Sequence, residues 1–261
     1  MAGYEFATVT REGPLTIVTI NRPEVMNSLH PPANHELAAI FDAFAADPDQ
    51  WVAIITGAGD KAFSAGNDLK YQASGGAMSV PASGFAGLTN RFDLNKPVIA
   101  AVNGMAMGGG FEIALACDLI IAAENALFAL PEPRVGLAAL AGGLHRLPRM
   151  IPQKQAMGMI LTGRRVLAAE GQTLGFVNEV VPAGQAVEGA KRWAAQILEC
   201  SPMSIRASKE AVRKGLEHAS VEAAYAAQMS NEAVRAMFKS ADFIEGPMAF
   251  AQKRKPEWKG A

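Results

Sequence analysis

An α/β fold with parallel strands covered on both faces is predicted by three observations. Half of the 261 residues are hydrophobic, enough to bury a sizeable core. Apolar, β-branched runs of about five residues recur between helical stretches, the pattern of strands buried on both sides. From residue 186 onward the chain reads as helix after helix.

The elements follow in order. "PLTIVTINRP" (14–23) is β-branched and closes on Arg22-Pro23, which predicts a strand ended by a turn. "HELAAIFDAFAAD" (35–47) sets Leu37, Ile40, Phe41 and Phe44 on helical spacing, an amphipathic helix. "WVAIITG" (51–57), "KPVIAAVNG" (96–104) and "DLIIAA" (118–123) read as short buried strands. "SGGAMSVPASG" (74–84) is small and polar and is expected to be a mobile loop near the site. "AVEGAKRWAAQIL", "SIRASKEAVRKGL" and "SVEAAYAAQMSNEAVRAMF" are three helices, punctuated by Ser201-Pro202 and Gly215. A βα core over 1–185 and a helical region over 186–261 packed against it are therefore expected.

Charge and motif content exclude several functions. Lys and Arg number 24 and Asp and Glu 25, a net charge of −1, so nothing points to nucleic acid or an anionic membrane. Cys117 and Cys200 form no CxxC pair, which argues against a zinc site or a disulfide framework. The first residues carry no apolar leader segment, and no apolar run reaches the ~18 residues a membrane span needs. A soluble, cytoplasmic protein is expected. GxGxxG, GxxxxGK[ST] and GxSxG do not occur, and "HELAA" fails the HExxH pattern because Ala39 replaces the second histidine. His30, His35, His145 and His218 show no metal-ligand spacing, so no metal is expected; His145 reads as a loop or pocket-wall residue.

"AMGGGFEIALACD" (106–118) is the most informative stretch. A helix N-terminus leaves backbone N–H groups unpaired, and its dipole favours negative charge. Glycine lets another atom approach that backbone. "GGGFE" therefore suits an oxyanion. "FSAGNDLK" (63–70) offers a second glycine ahead of a possible helix start. One N–H from each could polarise a single carbonyl, the geometry of an oxyanion hole. "ALFALPEPRVGL" (126–137) adds Glu132, stiffened between two prolines. A plainer role fits the same residues: glycines 108–110 for close packing, Glu112 at a favourable helix start, Glu132 in a solvated loop.

Together, "FSAGNDL", "NGMAMGGGFEIALACD" and "FALPEPRVGL" resemble the enoyl-CoA hydratase/isomerase, or crotonase, superfamily. The likeness runs from "TINRPEVMNSL" to "AFAQKRKPEWKG". The resemblance implies a spiral of repeated ββα units with a helical C-terminal trimerisation region, assembled as a homotrimer or hexamer. It implies an acyl-CoA substrate held with its thioester oxygen on the backbone N–H groups of Asn67 and Gly109. It also implies Glu112 and Glu132 as the catalytic carboxylates, and CoA contacts from Ala65, Asp68, Leu69, Lys70, Phe250 and Lys253. Phe250 and Lys253 would approach from a neighbouring subunit. No cofactor is implied, since coenzyme A is part of the substrate. The reaction this predicts is reversible hydration of an enoyl-CoA. Isomerases of the family typically work with one of the two carboxylates, and a silent CoA-binding scaffold would be expected to lose one; both are present here.

"GFAGLT" (84–89), "LNKPVIAAVNG" (94–104) and "IEGPMAFAQKRKPEWKG" (244–260) resemble the branch of the family whose acyl group carries a γ-trimethylammonium. Such a cation calls for aromatic faces or a carboxylate, and Phe85, Phe92 and Tyr71 are the candidates. "LAALAGG" (137–143) reads instead as a wall for a plain alkyl chain, which ranks a simple enoyl-CoA ahead of the charged one.

Overall fold

The computed structural model describes residues 3–261. The chain opens with β1 (Ala7–Glu12) and β2 (Leu15–Ile20), an antiparallel hairpin, followed by α1 (Pro31–Ala46). Three turns of a repeated ββα unit come next. The first is β3 (Val52–Gly57), β4 (Ala62–Ser64) and α2 (Leu69–Ala73). The second is β5 (Val98–Val102), β6 (Met105–Met107) and α3 (Gly109–Ala116). The third is β7 (Leu119–Ala123), β8 (Leu127–Ala129) and α4 (Gly143–Met150). Then follow α5 (Gln153–Thr162), β9 (Val166–Leu167), α6 (Ala168–Leu174) and β10 (Glu179–Val181). The helices α7 (Ala186–Leu198), α8 (Pro202–Gly215), α9 (Val221–Ala227), α10 (Glu232–Lys239) and α11 (Ala241–Ala251) complete the chain.

The first strand of each unit joins a six-stranded sheet in the order β1-β2-β3-β5-β7-β10, parallel from β2 onward. The second strand joins a four-stranded sheet ordered β4-β6-β8-β9, where β4, β6 and β8 run parallel and β9 antiparallel. This is the ββα spiral that the motif resemblance implies. One face of the large sheet packs Ile17, Ile54, Ile99 and Ile121 against Ala186, Ala190 and Ala194 of α7. The other face and the small sheet enclose the main core, with Phe41, Phe63, Phe111 and Phe128 all fully buried. The β-branched runs thus form strands because both of their faces are covered. Lys209 of α8 ties the C-terminal helices to the sheet, bonding Asp118 at 2.7 Å and the Lys96 carbonyl at 2.9 Å.

Two elements differ from expectation. α1 begins at Pro31, four residues before the amphipathic pattern starts, because Pro31 and Pro32 occupy the first turn where a missing N–H is harmless. The helix expected over 220–238 is broken: Asn231 is extended (φ −66°, ψ 133°) between a 3-10 turn and α10. Buried Glu210 on α8 explains the break, since its carboxylate accepts the Ala233 N–H at 2.6 Å and pins a separate helix start there.

Candidate active site

The small sheet delivers the site. Its three adjacent parallel strands β4, β6 and β8 end at Ser64, Met107 and Ala129, just before Asn67, Gly109 and Glu132 respectively. Residues scattered along the sequence therefore meet at one edge, outside the carboxyl ends of parallel strands.

The 65–68 segment is pinned by backbone bonds. Ala65 N–H donates to Met26 O at 2.9 Å and Asp68 N–H to Leu29 O at 3.1 Å, while Gly66 O accepts the Leu29 N–H at 2.8 Å. Gly66 adopts φ +82°, and a Cβ there would lie 2.7 Å from Gly109 N. Only glycine permits this approach of one segment to the other. Among the described residues, the N–H groups of Asn67 and Gly109 donate to no protein acceptor. The Asn67 side chain is engaged elsewhere, its Nδ2 donating to Gln72 Oε1 at 2.7 Å.

Gly108 precedes α3 with φ +54° and ψ −124°. A Cβ at this position would lie 2.7 Å from Glu132 Oε1. The Gly108 carbonyl accepts the Glu112 N–H at 3.0 Å, so one glycine contacts both acidic residues. Glu112, on the first turn of α3, is 3% exposed. Its Oε1 accepts the Gly143 N–H at 2.9 Å. Burial pushes the Glu112 carboxyl up to about 7 against the pull of that N–H; the Glu132 carboxylate adds to the rise and Arg146 opposes it. Glu132 opens a 3-10 turn (Glu132–Val135) held by its own carbonyl, which accepts the Leu137 N–H at 3.0 Å. Burial raises its carboxyl as well, and its Oε2 is buried without a partner. Neither glutamate is a solvated surface group. Two carboxyls raised by burial on either side of Gly108 suit proton exchange.

The other candidates divide into two groups. Asp68 is buried, accepts the Tyr71 N–H at 3.1 Å and pairs with Arg22 at 3.1 Å. Burial would raise its carboxyl, but those two donors prevail and hold it low. Its side chain thus serves the loop itself, while Leu69 and Lys70 stand exposed beside it. Phe250 is 87% exposed on α11, which packs on α10, and Lys253 follows in a left-handed turn at φ +55°. Among the described residues, neither makes a hydrogen bond or ion pair with the 65–70 segment.

Of the aromatic candidates, Phe85 is buried with its ring edge against Gly109. Phe92 already carries the Arg146 guanidinium 5.5 Å above its ring, and Tyr71 meets His30 edge-on at 5.5 Å. Leu137 and Leu140, expected to line an alkyl pocket, are 43% and 77% exposed, whereas Ala139 is buried. His145 lies on the exposed side of α4. Gly143 and Arg146 are site residues that motif reading missed. The doubled glycine before α4 was a signal, since it repeats the glycine-then-helix pattern of 108–110.

Fold and site together define an α/β enzyme that sets a carboxylate pair beside two unpaired backbone donors. The chain belongs to the enoyl-CoA hydratase/isomerase family, whose model matches residues 10–261. It is 45% identical to a carnitinyl-CoA dehydratase of Salmonella arizonae over 98% of this chain and 99% of that protein. It is 44% identical to a carnitinyl-CoA dehydratase of Proteus mirabilis over 97% of each. Among solved structures, an enoyl-CoA hydratase from Mycobacterium tuberculosis superposes with a TM-score of 0.91 at 37% identity, covering 98% of this chain and 99% of that one. A carnitinyl-CoA hydratase from Mycobacterium avium gives 0.78 at 40% identity, covering 99% and 100%. The chain is accordingly an enzyme of the hydro-lyase class. Among the described residues no helix is long and apolar enough to cross a membrane.

Proposed function

We propose that this protein adds water reversibly across the α,β double bond of an acyl-CoA, with coenzyme A entering as part of the substrate. The thioester oxygen accepts from the N–H groups of Asn67 and Gly109. Glu112, ionised, takes a proton from water as the water oxygen bonds to the β carbon. The electron pair of the double bond moves toward the thioester oxygen, where the two donors stabilise it. Glu132, protonated, gives its proton to the α carbon, and the two carboxyls then exchange a proton before the next turnover. Dehydration runs the same steps backward. The observation that carries this reading is the contact of Gly108 with both glutamates, directly beside the unpaired Gly109 N–H.

On substrate, the relatives' name favours a carnitine-type acyl-CoA, which residue reading placed second. Dehydration of carnitinyl-CoA to crotonobetainyl-CoA is therefore proposed as the reaction. A plain enoyl-CoA is the second reading, favoured by the occupation of the Phe92 face by Arg146. The test is kcat/KM for crotonobetainyl-CoA against crotonyl-CoA in one preparation. A preference of about tenfold for the charged substrate, about 1.4 kcal/mol of transition-state binding, supports the first reading; parity or the reverse supports the second.

The exposure of Phe250 and the position of Lys253 suit a site completed between subunits, so a homotrimer or hexamer is part of the proposal. Residues 1–185 then carry the acyl-CoA site and 186–261 the assembly surface. Cytoplasmic residence belongs to the same reading.

A further inference from the structure

Arg146 is a half-buried cation that the chemistry above does not use. It lies one turn into α4, its own N–H donating to Gly142 O at 2.9 Å. Its Nη2 donates to Thr89 O at 2.8 Å. Its Cζ stands 5.5 Å over the Phe92 ring. Its Nη1 folds so closely over Gly142 that a Cβ there would collide with it.

Each of these contacts leads into the site. Thr89 Oγ1 accepts the Phe85 N–H at 2.8 Å, and the Phe85 ring lies against Gly109. The turn around them is held from α1: Asn34 Oδ1 accepts the Ala86 N–H at 2.7 Å, and Ala86 keeps φ +54°. For a non-glycine residue that conformation persists only where its surroundings over-determine it. On the other side, Gly142 is followed by Gly143, whose N–H holds Glu112. A guanidinium lies flat over a ring while its fixed fork donates in its own plane; a lysine ammonium keeps the charge but has no such fork.

We propose that Arg146 is a positioning residue that locks the Phe85–Thr89 turn to the start of α4, so that one side chain sets both the wall of Gly109 and the orientation of Glu112. The charged groups acting on Glu112 are Glu132 from the 3-10 turn and Arg146 from α4. Asp118 and Lys209, past the far end of α3, pair with each other. Arg146 therefore supplies the positive charge that favours ionised Glu112.

The proposal rests on the hydration reading for its kinetic arm but not for its spectroscopic one. Infrared difference titration, with Glu112→Gln as the band assignment, follows the Glu112 carboxyl in wild type, Arg146→Met and Arg146→Lys. In Arg146→Met the Glu112 titration is expected to move up, by less than the effect of burial. In Arg146→Lys it stays closer to wild type, because the charge is kept. With crotonyl-CoA, kcat is expected to fall about tenfold or more in both variants while KM changes less than about threefold, because neither restores the planar fork. An unmoved Glu112 titration in Arg146→Met, or a Lys variant with wild-type kcat, overturns the proposal. If Arg146→Met does not fold, Arg146→Lys and the half-exposed Phe92→Leu decide it: wild-type kcat in Arg146→Lys refutes it, and a drop in both with KM kept supports it. A wild type that hydrates no enoyl-CoA defeats the hydration reading alone, since the infrared shift still judges Arg146.

Discussion

The Gly143 N–H donates to Glu112 Oε1 at 2.9 Å, joining the first turns of α4 and α3 across 31 positions of sequence. This bond fixes one oxygen of the Glu112 carboxyl. Glu112→Gln keeps an oxygen for Gly143 but cannot exchange a proton. It should bind acyl-CoA normally and lose about 10²–10⁴-fold in kcat. Glu132→Gln should do the same. Binding by calorimetry and turnover by steady-state kinetics check both, and near-normal turnover in either removes that glutamate from the chemistry.

Glu112 also makes stability depend on pH. Its carboxyl is raised from 4.5 to about 7 in the folded protein, chiefly by burial. The folded state thus binds the proton more tightly than the unfolded chain does. The favourable contribution is complete below the unfolded value and is lost as pH rises through about 7, a change on the order of 3 kcal/mol. Glu112→Gln should therefore melt higher than wild type at about pH 8, with the gain shrinking to nothing near pH 4. A constant difference across that window would contradict the assignment.

Gly109 separates two kinds of damage. Proline is tolerated at the first helical position but removes the N–H, and loss of one oxyanion donor typically costs about 10²–10³-fold in kcat. Alanine keeps the N–H, but its Cβ would lie 2.6 Å from the Phe85 ring. Adding Phe85→Ala should restore much of the activity of Gly109→Ala and none of that of Gly109→Pro. Equal rescue of both would mean that the Gly109 N–H is not a donor to the substrate.

Asp68 holds its loop from within, capping α2 through the Tyr71 N–H and pairing with Arg22, both side chains largely buried. Asp68→Ala should destabilise the fold by about 2–4 kcal/mol, the sum of a lost cap and a stranded guanidinium. Chemical denaturation measures it. A change under about 0.5 kcal/mol, the range of ordinary surface substitutions, would make the pair dispensable.

Assembly is tested by light scattering with activity assayed on the same sample. The proposal expects a trimer or hexamer, and Phe250→Ala or Lys253→Ala should raise KM for acyl-CoA with little effect on kcat. A fully active monomer would refute the shared site.

How much of this was legible in the sequence depended on range. β2, β3, β5 and β7 announced themselves because strands buried on both faces are apolar throughout, and α7 matched its expected bounds. β4, β6 and β8 have three residues each, too few to carry a period, yet they deliver the site. The glycine run and both glutamates were readable as local chemistry. The Gly143–Glu112 bond, the Phe85 contact with Gly109 and the bridging by Arg146 join positions far apart in sequence, and no local pattern encodes them. The break at Asn231 was hidden for the same reason, its cause lying on α8.

The most direct test of the whole account is the ultraviolet absorbance of the conjugated thioester when the protein meets crotonyl-CoA, followed in parallel for wild type, Glu112→Gln and Glu132→Gln. The account predicts a fall to equilibrium with wild type and a rate lower by about 10²-fold or more with each variant. No fall with wild type and with crotonobetainyl-CoA alike, or an equal fall in all three proteins, would contradict it.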